Sequence, residues 1–138
     1  MKKVLIRSAR KKDINLIGEV LEIQELGRGY SKEYLVRLIK NKGGIFLVAD
    51  YNSKIIGIVF GEVNKKENWA ELSGIAVLEG YRNNGIGSAF LREFERRVRN
   101  RGVTFIETFA SVNYLADKIG KFGYERKETY VNFIKDLD

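Results

Sequence analysis

Residues 69–91 place an apolar strand pattern, a short polar turn and an amphipathic helix pattern in immediate succession, and this order constrains the chain more than any other feature. The strand is Trp69-Ala-Glu-Leu-Ser-Gly-Ile-Ala-Val77, and the turn carries Arg82, Asn83, Asn84, Gly85 and Gly87. A glycine-bearing turn that feeds a helix N-terminus presents unpaired backbone N–H groups and the positive end of the helix dipole. Such a segment binds phosphate without needing any particular side chain. Glycine lets the backbone approach an anion closely, and Arg82 adds a permanent positive charge. Ile86 and Ser88 complete the candidate phosphate-binding segment.

Two common phosphate-binding motifs do not fit. A P-loop needs Gly, four residues, then Gly-Lys-Ser/Thr. Gly80 and Gly85 have that spacing, but Ile86 stands where the lysine belongs. A dinucleotide fingerprint needs a third glycine three residues after the second. After Gly87 that position is Phe90, too bulky for close helix–strand packing. Glu107 lies where a ribose-binding acid would be sought, a coincidence without the glycine. What remains is Arg82-Asn-Asn-Gly85-Ile-Gly87 directly after a strand, or else an ordinary glycine-rich connection.

The chain has 138 residues, which suits one domain, residues 1–138, with one core. Its 44% hydrophobic and 31% charged content is that of a globular protein. No apolar run approaches the length of a membrane span, and the N-terminal apolar run is too short for a signal peptide. The expected location is the cytoplasm. With no cysteine and no histidine, the chain offers no thiolate nucleophile, no Ser–His–Asp triad and no zinc site of the usual kind. Proton transfer must use carboxylates, tyrosine, lysine, the N-terminus or water. Direct transfer between two bound substrates remains open, because it needs mostly positioning. A net charge of +7 favours anionic partners, whether nucleic acid, acidic protein or a phosphorylated cofactor.

Proline is absent, and neither a repeat nor a linker interrupts the chain. Val4–Ile6 reads as a first strand. Ile14, Ile17, Val20 and Leu21 recur at helical spacing up to Gly27-Arg-Gly29. Ser31 is the expected N-cap of a second helix with Leu35, Leu38 and Ile39 on one face, closed by Gly43-Gly44. Residues 45–49 and 54–63 form a hairpin around Tyr51-Asn-Ser53. After residues 69–77 and the turn, Ile86, Phe90, Phe94 and Val98, with Ala89 beside them, form a core-facing helix stripe. The opposite face carries Arg92, Arg96, Arg97, Arg99 and Arg101, expected to be solvated. A buried strand is expected over 104–109, a helix over 113–122, and an extended segment over 124–135. The resulting order is β-α-α-β-β-β-α-β-α-β, an α/β fold with a central mixed sheet flanked by helices.

The turn motif and this order resemble those of the GNAT acyl-CoA-dependent N-acetyltransferases. Asn113-Tyr-Leu-Ala-Asp-Lys-Ile-Gly-Lys-Phe-Gly-Tyr124 is similar to the family's second signature, in which an asparagine opens a helix that ends in a Gly-aromatic pair. The resemblance covers nearly the whole chain. It implies acetyl-CoA as co-substrate, no metal, and a small-molecule or peptide amine as acceptor. It further implies cofactor contacts from residues 82–88 and Asn113. The backbone of Ile75, Ala76 and Val77 would pair with the pantetheine arm and donate to the reacting carbonyl. Gly74 inside this strand marks either a bulge or close approach, or packing against a large neighbour. The sequence departs from the family at Ile119, where a tyrosine thought to protonate the departing thiolate is common. Tyr114 lies about 140° away round the helix and does not replace it.

Strand alternation puts Trp69, Glu71, Ser73, Ile75 and Val77 on one face. Glu71 is the first candidate base and Glu62, on the preceding strand, the second; either is otherwise a solvated or ion-paired carboxylate. Tyr130 is a candidate acid by its place near the family's acceptor region, or else a core residue. The leading expectation is an acetyl-CoA-dependent N-acetyltransferase. A degenerate acyl-CoA-binding relative without catalysis and a basic nucleic-acid-binding module are the alternatives. The last fits less well, since the aromatics sit mostly at core spacing. Homodimerisation stays open, and the sequence does not identify the acceptor.

Overall fold

The computed structural model describes residues 3–23, 30–108, 119–125 and 135. Among them five strands form one sheet in the order β1-β2-β3-β4-β5. These are β1 (Leu5–Ser8), β2 (Gly44–Tyr51), β3 (Lys54–Asn64), β4 (Trp69–Val77) and β5 (Ile106–Thr108). The first four pair antiparallel in succession, and β5 joins β4 in parallel. The sheet is therefore mixed, as the sequence pattern predicts. The β2–β3 hairpin turns at Asn52 and Ser53, both at positive φ (50° and 68°). That turn geometry matches the twist of the flanking strands.

Among the described residues, three α-helices cover the two faces. Helices α1 (Ile14–Ile23) and α2 (Lys32–Lys40) lie on one face, with Ile17, Val20, Leu35 and Leu38 packed against Phe46, Val48, Ile58 and Phe60. The side chain of Ser31 caps α2, accepting from Tyr34 N at 3.1 Å. Helix α3 (Ile86–Asn100) covers the other face, burying Ile86, Phe90, Phe94 and Val98 against Leu47, Val59 and Leu72. The expected stripe is present, but the residue buried beside it is Leu91, and Ala89 is only half-buried.

An ion-pair network closes the start of the chain onto the sheet. Asp13, 4% exposed, accepts from Arg7 Nη1 at 2.8 Å and from Arg10 N at 2.7 Å, and Arg7 Nε also reaches Asp50 at 3.1 Å. The Arg7 guanidinium holds the Asp13 carboxyl below the usual carboxylate range, against the opposing effect of burial.

Two expectations change in detail. The strand predicted over 104–109 spans Ile106–Thr108 and is half-buried rather than buried, because it pairs with β4 alone among the described residues. A short 3₁₀ helix, Glu79–Tyr81, follows β4 where only a turn was expected. Of the helix predicted over 113–122, Ile119 and Gly120 are described as helical. Asn113 and Tyr130, and the expected final strand apart from residues 124, 125 and 135, lie outside the described residues.

Candidate functional site

The turn after β4 is arranged as an anion cradle. Gly85 is the N-cap of α3 at φ 79°, a left-handed conformation that favours glycine, and among the described residues no side chain caps the helix. The first bond of the helix runs from Ala89 N to Gly85 O at 3.0 Å. The N–H groups of Ile86, Gly87 and Ser88 therefore have no acceptor within the helix. A Cβ added at Gly87 would meet nothing within 4 Å among the described residues. Residues 82–85 are exposed, and Gly87 and Ser88 are half-buried. The turn is braced from within: Arg82 Nε donates to Val77 O at 2.9 Å, and Asn84 Nδ2 donates to Tyr81 O and Arg82 O. Asn83 supports the bend at φ 64°.

The second half of β4 runs into this cradle with one edge open among the described residues. β5 pairs with β4 only from Ala70 to Leu72, whereas β3 pairs with β4 along its whole length. Leu78 N is turned toward β3, where it meets Ile56 O at 2.9 Å. Alternation along the strand then turns the N–H groups of Ile75 and Val77 to the open edge, and those of Ala76 to β3.

A bulge divides β4. Phe60 pairs with Gly74 and Gly61 with Leu72, which leaves Ser73 as the extra residue. Glycine is required on both strands here. A Cβ at Gly61 would lie 1.9 Å from Glu71 O, and one at Gly74 would lie 2.5 Å from the Phe60 ring. Both readings of Gly74, bulge and close packing, therefore hold. The bulge also overturns the expected alternation. Ala70 and Leu72 point to the α3 side before it, and Ile75 and Val77 point there after it. Trp69 and Glu71 consequently face the α1–α2 side, opposite to Ile75 and Val77.

On that side Glu71 sits between two other carboxylates in register, Glu62 of β3 and Glu107 of β5. Burial pushes the Glu71 carboxyl above its ordinary value, and the negative charges of Glu62 and Glu107 push it further in the same direction. A carboxyl tuned upward is a better base near neutral pH than an ordinary one. Glu62 is half-buried and lies 3.6 Å from Arg37 Nη2 of α2. The structure thus brings Glu62 and Glu71 together on adjacent strands.

Sequence reasoning missed Tyr30. Its hydroxyl donates to Ser73 O at 3.0 Å, and its ring packs edge-on against Phe60 and stacks with Tyr34. Tyr30 thereby ties the segment before α2 to the bulge of β4. Burial raises its pKa, as does the nearby charge of Glu71. No spacing rule points to it; the available signal is its place in Gly27-Arg-Gly-Tyr-Ser31, the connection between the first two helices that the family resemblance implies shapes the acceptor site.

Residues 17–124 match the Acetyltransferase (GNAT) family. An uncharacterized N-acetyltransferase of Chlorobaculum tepidum is 34% identical over 101 residues, which cover 71% of this chain and 62% of that protein. The matched part is thus less than two thirds of that relative's length. Among solved structures, the PaiA N-acetyltransferase of Thermoplasma acidophilum, in complex with coenzyme A, superposes with a TM-score of 0.78 at 22% identity. That match covers 94% of this chain and 93% of the other. An aminoglycoside acetyltransferase from an uncultured soil metagenomic sample, in complex with sisomicin, gives 0.77 at 18% identity, covering 98% and 97%. The chain belongs to the GNAT family of acetyltransferases.

Proposed function

We propose that the protein is an acetyl-CoA-dependent N-acetyltransferase that acetylates a primary amine by direct attack within a ternary complex. The observation that carries this reading is the uncapped, open N-terminus of α3 set at the end of the open edge of β4. The residues fit the co-substrate. The N–H groups of Ile86, Gly87 and Ser88 suit a pyrophosphate, with Arg82, Asn83, Asn84 and Gly85 shaping the turn around it. The open edge at Ile75 and Val77 suits the amide-bearing pantetheine arm, which pairs there like a neighbouring strand. The likeness to a fold solved with coenzyme A is consistent with both assignments.

Acetyl-CoA supplies the acetyl group: the amine N–C bond forms, the thioester C–S bond breaks, and the released thiolate takes a proton. The chain's own groups do the rest. A backbone N–H of the Ile75–Val77 segment stabilises charge developing on the reacting oxygen. Glu71, directly or through water, takes the proton from the attacking amine, with Glu62 the other candidate. Asn113 and Tyr130 keep the roles proposed for them from the sequence, a cofactor contact and an acid.

Acetyl-CoA at a hundred times its dissociation constant should stabilise the fold by about 2.7 kcal/mol, about 8–10 °C in Tm. Thiol release in the presence of a panel of primary amines reports turnover. Stabilisation with turnover supports the proposal, and stabilisation without turnover on a broad panel points to a binding protein. The absence of both stabilisation and turnover refutes it.

A further inference from the structure

A cavity of about 360 Å³ opens on the α1–α2 side, where the C-terminus of α2 meets the start of β2, the end of β3 and the start of β4. Glu62, the cross-strand neighbour of Glu71, and Trp69 form one wall, and Arg37, Asn41, Asn64 and Lys65 line the rest. Both wall residues are fixed relative to Glu71 by the sheet. Glu62 is its cross-strand partner, which sets their Cβ atoms about 5 Å apart. Trp69 lies two residues earlier on the same face, about 7 Å along the strand.

A carboxylate beside an indole is the chemistry that holds an ammonium ion, by ion pairing and by cation–π attraction. The arrangement is also short of positive charge. Like charges directly opposite one another in a sheet repel, and Glu71 has Glu62 on one side and Glu107 on the other. The chain carries seven more positive than negative charges, yet Arg37 alone is paired with this row among the described residues, at 3.6 Å and with its side chain 59% exposed. The Arg37 guanidinium is held over the Tyr34 ring, 5.1 Å from its centroid. The Lys65 chain runs toward Gly102, its Cε 3.9 Å from the position of an added Cβ there. A ligand cation between Glu62 and Trp69 relieves a repulsion that the fold itself leaves in place.

We propose that this cavity is the distal half of the acceptor site and selects primary amines bearing a second ammonium about 5–7 Å from the nitrogen that is acetylated. The inference rests on the acetyl-transfer reading above. Linear polyamines and amino-substituted cyclitols share this chemistry, and the test separates them.

Thiol release is measured with 1-aminobutane, 1,4-diaminobutane and 2-deoxystreptamine, and binding of each amine to the CoA-loaded protein is followed by calorimetry. At least one diamine should exceed 1-aminobutane in kcat/KM by about tenfold, the advantage expected of one part-exposed ion pair with a cation–π contact. The preferred diamine identifies the linear or cyclic class. Glu62→Gln and Trp69→Leu should each pull the diamine-to-monoamine ratio toward one and weaken calorimetric binding of the diamine. A monoamine used as well as both diamines overturns the inference, as does a ratio unchanged in both variants. If acetyl-CoA binds but no amine is acetylated, the calorimetric comparison decides alone. Failure of acetyl-CoA to bind at all overturns the acetyl-transfer reading and this inference with it.

Discussion

Replacing Gly87 by glutamate should move stability and co-substrate affinity in opposite directions. The fold has room for the side chain, since a Cβ at this position meets nothing within 4 Å. Gly87 lies in the first turn of α3, two residues after the N-cap Gly85. Removing a glycine from a helix gains about 0.5–1 kcal/mol, and a carboxylate near the positive end of the dipole adds about 0.3–1 kcal/mol. The unliganded variant should therefore melt about 3–7 °C above the wild type. Binding responds otherwise. A negative charge about 4 Å from a phosphate is worth about 4 kcal/mol of repulsion at an effective dielectric constant of 20. The turn is half exposed, so roughly half of this survives screening, and the side chain also fills the space the phosphate needs. CoA affinity should fall by about 10²-fold or more. Thermal melts with and without CoA, backed by calorimetry, measure both effects on one sample. A folded Gly87→Glu protein that CoA stabilises as much as the wild type would show that the phosphate site lies elsewhere.

Glu71→Gln keeps size and polarity while deleting the proposed base, so turnover should fall by about 10²-fold with CoA binding unchanged, and recover in part at high pH where more amine is neutral; equal turnover at every pH removes Glu71 from the mechanism. The same substitution bears on stability. The Glu71 pKa is raised in the folded state, so its contribution favours folding at acid pH and is lost as pH rises through the folded value; the Gln variant should melt higher than wild type at neutral pH, and a lower melt there contradicts the assigned burial and repulsion. Asp13→Asn should cost about 2–3 kcal/mol, because it leaves the Arg7 guanidinium partly buried against one fewer carboxylate. The Asp13 pKa is depressed, so this difference should be complete at neutral pH and shrink as pH falls through the folded value, as urea unfolding at neutral and acid pH would reveal.

The elements through residue 108 were largely legible because their signals are local. The Ser31 cap, the four-residue stripe of α3 and the glycines of the turn each depend on near neighbours along the chain. The arrangement around Glu71 was not, because it depends on pairing. Glu62, Glu71 and Glu107 are far apart in sequence and become neighbours only through register. Strict alternation misplaced Glu71 relative to Ile75 because a bulge is an irregularity between two strands and leaves little trace in either one. Gly74 was that trace, and it could be read as a bulge or as simple packing until Gly61 and Phe60 were seen opposite it. Tyr30 escaped for a related reason: its partner is a backbone carbonyl, which no sequence pattern displays.

The extra residue at Ser73 gives β4 two halves that can change independently. Upstream, positions 69 and 71 turn toward α1 and α2, while downstream the positions that present an open edge turn their side chains into the core beneath α3. On the proposed reading, substitutions at 69 retune the choice of amine, and those at 71 the proton transfer, without disturbing the edge offered to the co-substrate. A deletion of Ser73 removes this insulation. Restoring a regular ladder forces one half to rotate, sending either Glu71 toward the Phe94 core or Ile75 and Val77 out of it. One unpaired residue thus lets a lineage explore new acceptors on a strand whose other half must stay as it is.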